Sequence, residues 1–200
     1  MKTSVTIISL LVLTLSIGSS CHDQKLKFIK IFSGKNLDGW QVSENNLWWS
    51  AGEGILTGKS DSDKKGSILW TDKNYKDFVI KMDFKFGNDT IDSGIFIRDI
   101  HEQIQLGVSN SLKVDMTCSP YISGKGYPIK ANNIEHLLKP KDWNSVKVKA
   151  VGSKYIVWLN GEKVMTYDSD TAVEEGPVGL QVHPGKKMQI SFKNIKVAEL

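Results

Sequence analysis

The chain has 200 residues, 40% of them hydrophobic, which is enough to bury one sizeable core. Its formal net charge of +4 is spread along the sequence, and no basic run is interleaved with aromatics, so nucleic acid is not an expected partner.

The N-terminus reads as a targeting segment. Lys2 precedes an apolar stretch from Val5 to Ile17, and Gly18-Ser19-Ser20 places small residues before Cys21. The stretch is short for a membrane span, so cleavage is expected, with residues 1–20 as a signal peptide. The arrangement is similar to a bacterial lipobox, with Gly18 where an aliphatic residue is usual. It predicts acylation of Cys21, a hydrophilic tether over 21–29, and an exported protein held at the cell envelope through that lipid. Cys118 is then the one remaining cysteine, so no internal disulfide supports the fold.

Beyond the tether the hydrophobic pattern has period two. Phe78, Ile80, Met82 and Phe84 alternate with more polar positions, as do Val146, Val148 and Ala150, then Tyr155, Val157 and Leu159. Asn160-Gly161 between two such runs signals a tight hairpin. Helical pattern is confined to Asn133–Lys139, ending before Pro140, and a single turn over Ala172–Glu175. Many short strands without alternating helices predict one all-β domain over 30–200, a sandwich or jelly roll.

Three stretches carry a resemblance when taken in order. FSGKNLDGW opens the domain at Phe32, and DSGIFIR runs from Asp92 to Arg98 into HEQIQLGVS. WNSVKVKAVGSKYIVWLNGEKV, from Trp143, leads into GPVGLQVH and FKNIKV. Together they resemble the 3-keto-disaccharide hydrolase domain family. The resemblance implies a concanavalin A-like jelly roll of two antiparallel sheets, a concave carbohydrate-binding face, and glycoside processing. The sequence departs from the family in two places. Asp92-Ser93-Gly94 replaces Asn-Ser-Gly, and Gln103-Ile104-Gln105 stands where Glu-x-Gln is usual. A register that turned Glu102 inward would bury an unpaired carboxylate at a cost, which favours Gln103 and Gln105 as the cleft-facing residues.

Strand parity then sorts the polar candidates. With Ile95 and Ile97 inward, Phe96 and Arg98 face the cleft. With Ile104 and Leu106 inward, His101, Gln103 and Gln105 do. A strand over Leu112–Met116 would present Lys113 and Asp115, and one over Gly179–His183 would present Gln181 and His183. Tyr121, Tyr127 and one of Trp48 or Trp49 are expected to offer flat faces to a sugar, and Trp40, Trp70, Trp143 and Trp158 to pack in the core or turns.

A conventional glycosidase needs a pair of carboxyl groups across the scissile bond, and this list holds one, Asp115, with Asp92 and Glu102 outside it. A 3-keto sugar lowers the requirement, because the ketone acidifies the C2 proton and permits elimination with a single base. His183 is the candidate base. Arg98 and Lys113 are the candidate enolate stabilisers, Asp115 the acid or orienting group, and Gln103, Gln105, Gln181 and Tyr121 the sugar-binding residues. No cofactor is expected. A divalent cation on His183, Asp115 and glutamine oxygens is the alternative to Arg98, although the spacing establishes no metal site. The rival reading is a non-catalytic carbohydrate-binding lipoprotein.

Overall fold

The structure, a computed structural model, describes residues 26–87 and 90–200. The leader and Cys21 lie outside the described residues. In chain order the strands are β1 (Ile29–Lys30), β2 (Trp40–Gln41), β3 (Trp49–Gly52), β4 (Ile55–Lys59), β5 (Ser67–Tyr75), β6 (Phe78–Phe86), β7 (Asp92–Ile97), β8 (Glu102–Gly107) and β9 (Pro120–Ile122). After the one-turn helix α1 (Ile134–Leu137) come β10 (Asn144–Val151), β11 (Lys154–Leu159), β12 (Glu162–Asp168), β13 (Gly176–Val182) and β14 (Gln189–Glu199). The α1 turn falls inside the segment whose pattern predicted it. Ala172–Glu175 forms no helix.

Two antiparallel sheets result. One runs β12-β11-β10-β6-β14-β4-β3 with β1 added on β14, and the other runs β2-β5-β13-β7-β8-β9. The alternation explains the layering. Ile80, Met82 and Phe84 of β6 and Ile190 and Phe192 of β14 meet Ile95, Ile97, Ile104, Leu106, Leu180 and Val182 of the other sheet in one core. Each such side chain contributes about 1.5–3 kcal/mol when fully buried. The β11–β12 hairpin turns on Asn160 (φ 50°) and Gly161 (φ 95°), the paired left-handed conformation that an Asn-Gly turn supplies.

The expected strand over Leu112–Met116 does not form. Ser109–Val114 makes a tight loop instead, closed by Lys113 N–H to Ser109 O (2.8 Å) and Ser109 N–H to Val114 O (2.9 Å). Lys113 itself adopts φ 60°, which breaks the extended backbone that the alternation implied. Leu112 and Val114 are therefore exposed, and only Met116 reaches the interior.

Candidate active site

The outer side of the six-stranded sheet holds a cleft of about 710 Å³. Its floor comes from alternate residues of neighbouring strands. Asp92 and Phe96 belong to β7, Gln103 and Gln105 to β8, and Trp70 to β5, with Gln181 from β13 and His183 just beyond its end. Ser109, Asn110 and Ser111 of the loop after β8, with Tyr121 and Tyr127, form a wall. Two glycines keep the floor flat. A Cβ on Gly179 would meet the Trp70 ring at 2.6 Å, and one on Gly94 would meet Gln103 Oε1 at 2.2 Å. The absent side chains thus let an indole and a carboxamide lie across the strands.

His183 and Asp92 lie side by side in the cleft. His183 Nδ1 lies 2.6 Å from Pro184 O, and a carbonyl only accepts, so Nδ1 carries a proton there. Neutral His183 then has its lone pair on Nε2, which lies 3.7 Å from Asp92 Oδ2. That gap is longer than a hydrogen bond, so the lone pair stays free. Asp92 is almost fully buried and is held as an acceptor from two sides. Gln105 Nε2 donates to Oδ1 (2.8 Å) and Asn110 N–H to Oδ2 (2.8 Å). Asp92 is the carboxylate among the described residues lining the cleft.

Two further features point to a polar ligand. Gln103 Oε1 and Gln181 Oε1 are buried and have no hydrogen-bond partner among the described residues, although buried acceptors are normally satisfied. Tyr127 stays protonated well into the alkaline range, because burial pushes its phenol up to about 12, with the Asp92 and Tyr121 charges adding to the shift. It is therefore a hydrogen-bond donor beside Asp92. Trp70 and Phe96 supply an aromatic floor, with ring centroids 5.5 Å apart. Tyr121 and Tyr127 meet edge to face at 5.2 Å.

The structure thus brings together His183, Gln103, Gln105 and Gln181, as strand parity implied, with Tyr121 and Tyr127 beside them. It places four expected residues elsewhere, and of these His101 is exposed in the turn between β7 and β8, off the cleft lining. Arg98 follows the end of β7 at φ 66°, which breaks the strand alternation and turns its side chain away from the cleft. Its guanidinium is buried, donating to the carbonyls of Lys76, Gly152 (2.7 Å) and Val173 (3.0 Å) and lying 3.4 Å from Asp77 Oδ1. Asp115 accepts from Thr117 N–H (2.8 Å) within its own loop. Lys113 is exposed, with Nζ on Asn110 Oδ1 (3.0 Å) at the rim. The His183–Asp115 cation set therefore does not assemble, and among the described residues no three His, Cys, Asp or Glu side chains converge.

The tryptophan expectation is also corrected. Trp49 is buried with Nε1 on Ser67 Oγ (3.1 Å), and Trp48 Nε1 donates to Asp61 (3.0 Å). Trp70 lies in the cleft instead. Asp92 shares the parity of Phe96 on β7, so the alternation that assigns Phe96 to the cleft extends to it as well.

Residues 27–198 match the model of the 3-keto-alpha-glucoside-1,2-lyase-like domain family. The chain belongs to that family. Among solved structures, it is similar to a candidate glycosyl hydrolase from Parabacteroides distasonis ATCC 8503, at 25% identity and TM-score 0.67, over 87% of this chain and 100% of that one. A Bacillus licheniformis β-glucanase shares the fold at 14% identity and TM-score 0.60, over 88% of this chain and 98% of that one. The carbohydrate binding module CBM66 from Bacillus subtilis shares it at 16% identity and TM-score 0.53, over 80% and 96%. No curated protein matches the chain. The fold is the all-β jelly roll of carbohydrate-active proteins, and the family and its neighbours support a carbohydrate-related function.

Proposed function

We propose that this protein cleaves 3-keto-glycosides by elimination at C2 and C1, with His183 as the base. The observation that carries the reading is the free Nε2 of His183 facing a buried, doubly hydrogen-bonded Asp92 across a sugar-sized cleft. His183 Nε2 takes the C2 proton of the keto sugar, and the Asp92 carboxylate stabilises the imidazolium that forms. The electron pair of the C2–H bond becomes the C1=C2 bond as the C1–O bond breaks. Tyr127 donates to the departing oxygen. Water adding across C1=C2 then gives the free keto sugar. Gln103 and Gln181 accept from sugar hydroxyls, and Trp70 carries the apolar face of the ring.

Because the cleft presents one carboxylate among its described lining residues, the elimination route suits it better than a two-carboxylate mechanism. We also propose export and acylation at Cys21, on the strength of the leader and the small residues before that cysteine. A second reading is sugar binding without turnover, favoured by the unpartnered glutamine oxygens, which need only a ligand and no reaction.

Release of the aglycone from a 3-keto-glucoside tests the proposal. His183→Ala is expected to lower turnover by about 10²–10⁴-fold, with thermal stability unchanged. Turnover that survives in both His183→Ala and Asp92→Asn would overturn the assignment. A bound keto sugar recovered intact from the wild-type protein would establish the binding reading.

A further inference from the structure

Lysines dispersed along the sequence line up on the outer face of the eight-stranded sheet, opposite the side of the molecule that holds the cleft. Lys30 of β1 pairs with Lys196 of β14, Lys196 with Lys81 of β6, and Lys81 with Lys147 of β10. Lys147 is opposite Trp158 of β11, which is opposite Lys163 of β12. Their chain neighbours Ile80, Met82, Val146, Val148, Ile195 and Val197 point into the core, so these lysines point outward. The row crosses six strands and runs about 24 Å at ordinary strand spacing.

Like charges directly opposite each other destabilise a sheet. Lys65, Lys73, Lys76, Lys125 and Lys154 elsewhere have carboxylate partners. Among the described residues the row has none. Asp83, one row away and opposite Lys193, receives Asn194 Nδ2 at 2.6 Å. Aromatic rings lie under the ammonium groups instead. Phe28 is 3.9 Å from Lys81, Trp158 is 3.8 Å from Lys147, and Trp143 is 4.0 Å from Lys193. Such rings support the lysine stems while leaving the charge unneutralised.

We propose that this face docks on an anionic lipid surface, so that the cleft on the other sheet faces away from the bilayer. Two observations select a membrane as the occupant. The face offers an in-register row of positive charge with aromatic side chains, the chemistry that meets acidic headgroups and the interface below them. The chain also enters the fold here. Phe28 sits under Lys81, seven residues after Cys21, and seven residues span at most about 25 Å. An anchor at Cys21, as proposed above, would attach within that reach of this face. The docking itself is a property of the lysine row and is read without the acyl group, so its failure is separable from a failure of lipidation or of the proposed chemistry.

The test is co-sedimentation of the chain from residue 21, carrying Cys21→Ser, with vesicles of phosphatidylglycerol and phosphatidylcholine or of phosphatidylcholine alone. Binding is expected only to the anionic vesicles and is expected to fall steeply with salt. The triple variant Lys81→Glu, Lys147→Glu, Lys196→Glu is expected to bind at least a hundredfold more weakly. Lys65→Glu, Lys113→Glu, Lys125→Glu carries the same charge change on the side of the cleft and is expected to bind within a few-fold of the parent. Should the first set fail to fold by circular dichroism, the Lys→Gln set at the same positions is used, with a loss in the same direction. A fluorophore on Ser145→Cys should report lipid contact and one on Ser111→Cys should not; Cys118 is buried and does not compete for label. No binding to anionic vesicles, equal losses in the two charge-reversal sets, or lipid contact at Ser111→Cys instead of Ser145→Cys would overturn the proposal.

Discussion

The β7–β8 turn and the cleft are both built from buried polar groups, and they differ in how completely those groups are satisfied. At the turn, Arg98 donates to three carbonyls and lies beside Asp77. Glu102, at the start of β8, accepts from Tyr155 Oη, Ser169 Oγ (2.6 Å) and Thr171 Oγ1 (2.7 Å). One residue further along the same strand, Gln103 faces the cleft with an unpartnered Oε1, and Gln181 does the same from β13. A saturated network contributes to the fold and has nothing left to offer a ligand. An unsaturated one is costly until a ligand arrives. Burial and polarity alone do not separate the two. Satisfaction does.

The largest expected effect breaks the turn side of this comparison. Arg98→Ala would strand the carbonyls of Lys76, Gly152 and Val173 without donors in a buried site. The expected loss is about 3–5 kcal/mol in unfolding free energy, measured by urea denaturation, while the folded fraction retains its KM for the keto sugar. An Arg98→Ala protein with wild-type stability and no turnover would instead return Arg98 to the chemistry and dissolve the distinction.

The cleft side is sharpened by Gln103→Ala and Gln181→Ala. Each removes an acceptor that the free protein leaves empty, so unfolding free energy should change by less than about 1 kcal/mol. Sugar binding should weaken by about 5–30-fold, the loss of one hydrogen bond to a ligand hydroxyl, read by calorimetry with the His183→Ala protein so that no turnover intervenes. Loss of stability without loss of affinity would place these glutamines with Glu102 as structural groups.

The period-two pattern makes most of this molecule legible in its sequence. It assigned Ile95, Ile97, Ile104, Leu106, Leu180 and Val182 to the core, and with them Gln103, Gln105 and Gln181 to the cleft. His183 is one position past β13 and holds the same parity. The reading failed where the backbone left the extended region. Arg98 at φ 66° and Lys113 at φ 60° are neither glycine nor asparagine, so nothing local announced the reversal. Glu102 shows a different gap. Its inward register was set aside as the burial of an unpaired charge, yet the outward assignment of Gln103 requires Glu102 to point in. The three hydroxyls that satisfy it come from residues more than fifty positions away, and a local pattern cannot supply them. The place of Trp70 in the cleft, over Gly179, depends on the β5–β13 register, which sequence spacing does not encode. The lysine row has the same origin, since it exists only once six strands are in register.

A third comparison sets two tyrosines against each other, one from each region. Burial raises the Tyr127 phenol to about 12 in the cleft, and it raises Tyr155 further, with the hydrogen bond and charge of Glu102 adding to the shift. In the unfolded chain both titrate near 10. Between about pH 10 and 12 the unfolded state therefore gives up protons that the folded state keeps, and stability falls as pH rises through that window. Tyr127→Phe and Tyr155→Phe should each flatten this alkaline decline. At pH 7 they part. Tyr155→Phe removes a donor from the buried Glu102 carboxylate and should cost about 1.5–3 kcal/mol, with turnover unchanged. Tyr127→Phe should leave unfolding free energy at pH 7 nearly unchanged and lower kcat, because the donor it loses serves the departing oxygen. Urea melts at pH 7 and pH 11 together with the two kcat values resolve the pair. A Tyr127→Phe protein with full turnover would move leaving-group protonation to another donor, leaving the His183–Asp92 pair and its separation from the saturated turn as they stand.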